Sequence, residues 1–445
     1  MKKKLALFLG LVPFLAAAQN PIIQTKYTAD PAPMVHNDTL FLYEKDAPHN
    51  AYLMREYRLY TTTDMVNWTD CGAPLRTSDF KWSAGDASAA QCIERNGKFY
   101  WYISSQNKFS PGSSIGVAVA ESPYGPFKDA LGKALVTNNM TTAAKHSWDD
   151  LDPTVFIDSN KQAYLYWGNG VCYQAKLNKD MISLNGPITA LDIKDKTAFF
   201  GKFTEAPWVY KRNNLYYMIY AAEFPESIHY STGQTAEGPW KAEGVVMPLE
   251  KGSNTNHPGI IDYKGNSYFF YHNDALPEGH SYCRSVCVEQ FTYNPDGTIP
   301  QLHMTDEGIK KGVGTLNPYK RTEAETIAWA QGVVSATDKE TGVYITSIHN
   351  TDYIKVRDVD FGSKGASQFT ASASSRYHGG EIELRIDSLE GDVIGSLKIP
   401  YTGEWNNWEQ HSTNVKTTKG VHDLYLIFKG RTPHELFNFD YWMFK

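Results

Sequence analysis

The chain is poor in cysteine, has no block of basic residues and carries no apolar run long enough to cross a bilayer, and each shortage removes a class of protein. Its five cysteines (Cys71, Cys92, Cys172, Cys283, Cys287) form no zinc-type cluster. Their odd number leaves at least one outside any intramolecular disulfide, and most read as small buried apolar residues. Lys and Arg number 43 against 49 Asp and Glu and nowhere gather into a patch, so a nucleic-acid partner is excluded, because phosphate binding leaves a basic footprint. The longest apolar run, Leu5 to Leu15, falls short of the ~20 residues of a membrane span. It follows three lysines and precedes Ala16-Ala17-Ala18, which is the order of a secretory leader over residues 1–18. No cysteine stands at the cleavage point to take a lipid. The chain is therefore expected to be exported, periplasmic or secreted, to start near Gln19, and to work as a monomer with no membrane partner.

What is abundant is aromatic: 28 Tyr, 21 Phe and 11 Trp, a composition suited to sugar surfaces. A short pattern of strand, polar turn and aromatic strand recurs five times. It reads Pro33 to Tyr43, Cys92 to Tyr102, Thr154 to Trp167, Trp208 to Tyr220 and Ile260 to Tyr271, at intervals of about 50 to 65 residues. Each copy has the turn chemistry and alternation of a hairpin. Each is followed by a further strand-like stretch. Five such units predict a five-bladed β-propeller over residues 19–316, whereas a single β-sandwich would give short strands without five similar units.

In a propeller the innermost strand of each blade lines the central channel, so the heads of those strands converge. Asp30, Asp152, Glu205 and His257 stand at that phase in blades one, three, four and five, with proline directly after Asp30, Asp152 and His257 and two residues after Glu205. One Asp before Pro is an ordinary turn former. Three carboxylates and a histidine at one axial point would repel one another and raise their pKa values, which chance turns have no reason to do. Glycosidic cleavage has a use for them: a protonated carboxyl for the leaving oxygen, an ionised one to activate water, and a third beside the acid to hold and tune it. Asp86, in Gly85-Asp86-Ala87-Ser88, lies three residues early for that phase in blade two and is a candidate pocket residue only.

At Thr28-Ala29-Asp30-Pro31, Asp150-Leu151-Asp152-Pro153-Thr154-Val155-Phe156 and Thr204-Glu205-Ala206-Pro207-Trp208 the chain resembles glycoside hydrolase family 43, over about residues 20–315. The resemblance implies a propeller that inverts the anomeric centre, with Asp30 as general base, Glu205 as general acid and Asp152 as modulator of its pKa. Inversion in turn implies a separation of roughly 6.5–9.5 Å between base and acid. His257 resembles an axial histidine that contacts a central metal or its waters, with a buried hydrogen-bonded histidine as the plainer alternative. Arg284 resembles an arginine that reaches the terminal sugar, or else makes a structural ion pair. No cofactor is expected to take part in the chemistry itself.

After a linker at residues 317–321, residues 322–445 resemble a family 6 carbohydrate-binding module, a jelly-roll β-sandwich. The resemblance implies a structural calcium held by Glu323, Glu325 and Asp440, for which oxygen ligands are suited. It also implies a sugar site at Tyr344, Trp405 and Asn438, with Trp408 or Trp442 as core. The whole therefore reads as an all-β, exo-acting α-L-arabinofuranosidase on arabinoxylan-type plant cell-wall polysaccharide or its oligosaccharides. A β-xylosidase and an inactive glycan-binding propeller are the alternatives. A fructan-cleaving propeller would show Arg-Asp-Pro, and here Leu151 precedes Asp152. The loops Trp82 to Asp86, Trp148 to Asp150 and Glu223 to Glu226 are expected to set which sugar fits.

Overall fold

The computed structural model describes residues 19–46, 54–431 and 433–445, so the expected leader lies outside the described residues. Within them every regular element is a strand apart from two three-residue 3-10 turns. Five sheets follow one another along the chain. The first blade holds Thr28–His36, Thr39–Asp46, Glu56–Thr62 and Trp68–Asp70, and the second Ser83–Arg95, Lys98–Asn107, Ser113–Ala120 and Val136–Thr137. The third holds Thr154–Ile157, Ala163–Trp167, Tyr173–Leu177 and Thr189–Ala190, and the fourth Phe203–Arg212, Leu215–Ala222, Ser227–Gly233 and Trp240–Met247. The fifth has three strands, Gly259–Tyr263, Asn266–Asn273 and Ser285–Phe291.

Local chemistry explains these hairpins. Four of the five opening turns have two residues, and their first residue (Asn37, Asn96, Asn213, Lys264) has φ between 47° and 55°. That left-handed conformation matches the twist of the flanking strands and suits asparagine better than most residues. Alternation then sends the two faces of each sheet to different neighbours. Leu40 and Leu42 pack with Tyr268, Phe270, Val286 and Val288 of blade five, while Phe41 and Tyr43 pack with Trp101 of blade two. Both faces are buried, so the strands are nearly continuous in hydrophobicity and the ring is held by its own core.

The ring is closed by the N-terminal segment. Ile22 donates its backbone N–H to Val286 at 2.9 Å, Thr28 to Arg284 at 2.9 Å, and the Asn20 side-chain oxygen takes the Val288 N–H at 3.0 Å. Gln19 to Thr28 thus runs along the free edge of the third strand of blade five.

Glu44 departs from this pattern. It lies on the face that carries Leu40 and Leu42, is buried, and neither carboxylate oxygen has a hydrogen-bond partner. Burial pushes its pKa well above the usual carboxylate range. The folded state therefore keeps a proton that the unfolded chain gives up above its ordinary pKa, so stability from this group falls as pH rises from that point. Glu44→Leu removes an unsatisfied buried polar group and is expected to stabilise the protein by about 1–3 kcal/mol. The gain should grow between pH 5 and pH 8 in denaturant unfolding, and a mutant less stable than wild type at pH 8 would contradict the assignment.

Residues 329–445 form a sandwich. One sheet pairs Val334–Asp338, Gly342–Thr346, Asn438–Phe444, Ala366–Ser374 and Glu409–Thr418. The other pairs Trp329–Gln331, Tyr353–Asp360, Val421–Lys429, Gly380–Ile386 and Val393–Ile399. Between them lies a core that includes Ile354, Val356, Phe369, Leu384, Leu426, Phe428, Phe439 and Trp442. The segment expected as a linker is not loose. Leu316 exchanges backbone hydrogen bonds with Asp358 and Asp360, and Pro318 accepts the Phe444 N–H at 2.8 Å.

The module also enters the propeller. Thr326–Ile327 pairs with Trp68–Asp70 and extends the sheet of blade one. Around that junction Ser335 donates to Asp70 at 2.8 Å, Asn67 and Arg357 exchange two hydrogen bonds at 2.8 and 2.9 Å, and Arg357 reaches the Ile309 and Lys310 carbonyls.

Candidate active site

The heads of the inner strands share a backbone device. Asp30, Asp86 and Asp152 have φ of 56–58°, and in blade four it is Ala206, one residue beyond Glu205, that has φ 58°. In blades one, two and four the ladder shifts register at the same place. A bulge of this kind bends a strand and re-aims the side chain beside it, and non-glycine residues adopt positive φ mostly where surrounding structure holds them there. Asp86 shares the conformation but not the position. The inner strand of blade two is long, with three register shifts, and Ser88 rather than Asp86 lines the cavity.

That cavity, about 530 Å³, is lined by Asp30, Asp152 and Glu205 together with Lys45, Asn169, Glu226, Thr255, His257 and Arg284. All five pocket residues expected from the sequence, the three acids with His257 and Arg284, meet there. Asp30 is at the floor. Its carboxylate forms a direct ion pair with Lys45 and accepts from Arg284 at 3.1 Å, and His272 lies 3.4 Å away. Burial alone would raise its pKa, but the charges of Lys45 and Arg284 outweigh that and hold it well below the carboxylate range. Asp30 is thus ionised.

His272 also accepts the Asp30 backbone N–H at Nδ1 (3.3 Å), while its Nε2 faces the Thr255 carbonyl at 2.8 Å. A carbonyl can only accept, so the hydrogen sits on Nε2 and the ring is neutral. Burial and then Arg284 keep it so. His257 is neutral for the same first reason, its pKa lowered by burial to about 4.

The other two acids are pushed the opposite way. Burial first, then the charge of Asp30, raises the pKa of Glu205, whose Oε2 takes a hydrogen bond from Asn169. Asp152 is raised well above its ordinary value by burial, then by Glu205 and Asp30, against a lowering contribution from Lys45 and the Ala89 backbone amide. Among these three acids one is driven toward the ionised form and two toward the protonated form, which is the division that acid-base cleavage of a glycosidic bond needs.

The loop that carries Asp152 is anchored from beneath. Asp149 takes hydrogen bonds from Asn138 (2.6 Å) and Tyr173 (2.7 Å), and Asp150 from Trp167 (2.8 Å) and Thr141 (2.9 Å). Burial raises Asp150 to about 7. Gly112 at φ +82° lies so close to the Ser147 carbonyl that an added Cβ would sit 1.9 Å from it, which locks the neighbouring loop against this one. On top, Trp148 stacks on His146 at 4.3 Å and is 53% exposed, and Phe224 is 67% exposed across the mouth. Exposed rings at the rim of a polar cavity suit the apolar faces of sugars.

Lys45, Asn169 and His272 were not read from the sequence, and Glu226 only as the end of the loop Glu223 to Glu226. Lys45 and His272 stand at the ends of second strands, Asn169 just after one and Glu226 just before a third, and the return of the hairpin brings these places back beside the inner-strand heads, as with Lys45 opposite Ala29. A lysine in the apolar strand Thr39–Asp46 and a histidine in Asn266–Asn273 are the signals that could have found two of them.

The module residues are less gathered. Asn438 is buried, donates to the Trp405 carbonyl at 3.0 Å and accepts from Thr346 at 2.7 Å. Tyr344 packs edge-on against Trp408, and the exposed ring beside Trp405 is Tyr377, at 5.5 Å. Trp442 is core, as expected. Among the described residues no group of three or more His, Cys, Asp or Glu is arranged to hold a metal ion. Arg321 already supplies positive charge to Glu323 (2.8 Å) and Asp440 (3.2 Å). Burial and then the Glu323 charge lift Glu325 to about 9, leaving it a neutral acid. Glu325 Oε2 is buried with no hydrogen-bond partner among the described residues. Cys71, Cys92, Cys172 and Cys287 are free thiols.

Comparison with known proteins agrees with this geometry. Residues 18–299 match the model for "Glycosyl hydrolases family 43", and residues 323–445 that for "Carbohydrate binding module (family 6)". An arabinoxylan arabinofuranohydrolase of Paenibacillus polymyxa is 32% identical over 96% of this chain and 74% of its own length. One of Bacillus subtilis is 32% identical over 96% of this chain and 92% of its own. The crystal structure of a family 43 arabinoxylan arabinofuranohydrolase from Bacillus subtilis, in complex with cellotetraose, superposes with a TM-score of 0.83 at 30% identity, covering 96% of this chain and 97% of that one.

Proposed function

From the premise that this chain belongs to glycosyl hydrolase family 43 and is a glycoside hydrolase with a family 6 carbohydrate-binding module, we propose that it is an exo-acting, inverting α-L-arabinofuranosidase that removes terminal arabinofuranosyl groups from arabinoxylan. The observation that carries the reading is the convergence of three acids in one cavity with opposed tendencies, Asp30 held ionised by Lys45 and Arg284 while burial and Asp30 push Glu205 and Asp152 toward the protonated form. The choice of substrate leans on likeness along nearly the whole chain, both domains included, to two arabinoxylan arabinofuranohydrolases.

In the proposed reaction Glu205 gives its proton to the glycosidic oxygen as the bond to the anomeric carbon breaks. Asp30 takes a proton from a water that attacks the opposite face, and the products are free arabinose and the shortened polysaccharide. Asp152 stays beside the acid and orients it. Asn169, which bonds Glu205 Oε2, fixes the acid's rotamer. Lys45 and Arg284 hold Asp30 in the ionised form that a base requires.

The test is proton NMR of the first product formed from arabinoxylan. An α-arabinofuranoside should release β-arabinose before mutarotation. Release of α-arabinose first would refute inversion, and release of xylose alone would move the assignment to β-xylosidase.

A further inference from the structure

Glu226 is a fourth carboxylate in the cavity and has no part in the reaction just described. It precedes the third strand of blade four and is 1% exposed. Its backbone N–H donates to the Asn254 carbonyl at 3.0 Å, and its Oε2 accepts the Asn256 N–H at 2.7 Å. It therefore spans from blade four to the strand head that carries His257. Its Oε1 has no hydrogen-bond partner among the described residues, and the side chain lines the cavity beside Glu205, Thr255 and His257.

Charge balance decides its state. The two buried cations of the cavity, Lys45 and Arg284, both contact Asp30. Of the neighbouring groups that act on Glu226 (Glu205, Asp152 and Asp30) none carries positive charge, and ionised Asp30 is negative. A buried anion with no cation beside it costs several kcal/mol, which a bound proton removes. Burial first and then Glu205 favour the protonated form, in line with this count. With Oε2 given to the Asn256 amide, the hydroxyl of the acid is left as a donor at the cavity wall. The group able to accept there is one the occupant brings.

We propose that Glu226 is a substrate-contacting residue that acts as a neutral carboxylic acid, donating a hydrogen bond to a hydroxyl of the terminal sugar and thereby selecting which sugar the pocket accepts. A donor fixed on one wall discriminates by the position of the hydroxyl it meets, because a sugar that lacks an oxygen there leaves a buried polar group unpaired. The inference rests on the glycosidase reading and adds a determinant of specificity to it.

The experiment compares wild type with Glu226→Gln, Glu226→Leu and Glu226→Asp on nitrophenyl arabinofuranoside and nitrophenyl xylopyranoside, with arabinose inhibition as a measure of sugar binding. Glutamine keeps a donor and an acceptor in the same place. It should stay within about threefold of wild type in kcat/KM across pH 5–8, with an unchanged pH profile. Leucine should raise KM and the inhibition constant of arabinose about tenfold and change the arabinofuranoside-to-xylopyranoside ratio of kcat/KM by about tenfold, the worth of one hydrogen bond. If the leucine variant does not fold, aspartate, which withdraws the donor by one methylene, is read in its place and should change the ratio in the same direction. A glutamine variant as impaired as leucine would overturn the neutral-acid assignment. A ratio that does not move in leucine or aspartate would reduce Glu226 to a brace for the His257 strand head. Wild type inactive on both substrates would instead sink the glycosidase reading, an outcome distinct from either.

Discussion

Glu205→Ala should lower kcat for arabinose release from arabinoxylan by about 10³-fold, within the range contributed by a general acid. The leaving group of the polysaccharide is a sugar alkoxide, which departs poorly without a proton. Nitrophenolate departs readily unprotonated, so the same mutant should lose far less on nitrophenyl arabinofuranoside. The pH profile supplies a second check. The pKa of Glu205 is raised by burial and then by Asp30, so wild-type kcat/KM is expected to fall on the alkaline side as the acid loses its proton. On the nitrophenyl substrate the mutant should lose that alkaline limb. Equal losses on both substrates, with the limb retained, would assign the proton to a different group.

Removal of the module by ending the chain after Leu316 should be nearly as severe for stability as loss of the acid is for rate. The truncation strips Thr326–Ile327 from the sheet of blade one and leaves the edge of Trp68–Asp70 unpaired. It also removes the Ser335 hydroxyl from buried Asp70 and Arg357 from buried Asn67. Arg58 still holds Asp70 through two bonds of 2.8 Å, so the blade does not lose every support. The truncated propeller is expected to melt about 5 °C or more below the full chain, since each kcal/mol is worth a few degrees in a domain of this size. It should also aggregate on heating. Differential scanning calorimetry of the two chains decides the matter, and an unchanged midpoint would mean that the module rides on the propeller without supporting it.

The fold was legible because its hairpins repeat, and the turn at Asn96-Gly97 or Lys264-Gly265 carries its own conformational reason. The three acids were legible because an inner-strand head can be located by counting back from the strand. Lys45 and His272 escaped that count: they stand on the returning strands, and only pairing across the ladder shows that residue 45 ends beside residue 29. Asp86 illustrates the reverse failure, since a bulged strand takes extra residues and the phase drifts. In the module, the resemblance implies Tyr344 beside Trp405, whereas the ring that packs against Trp405 is Tyr377, from a loop whose path no periodicity encodes. The entry of Thr326–Ile327 into another domain's sheet had no sequence signal, because a two-residue strand carries no alternation.

The segment from Gln19 to Thr28, clasped to the third strand of blade five, has a kinetic meaning. The ring cannot shut until residues separated by more than 250 positions have met, as the Asn20 contact with Val288 requires. Loop-closure entropy makes that encounter late and slow, and it gives the propeller a high contact order. Once latched, however, no blade can peel away alone, because each is wedged between two neighbours and the first is tied to the last. Opening must then begin at the clasp. The lifetime of the folded enzyme is accordingly governed by a barrier concentrated in ten residues, which end two residues before Asp30 and lie far in sequence from Asp152 and Glu205.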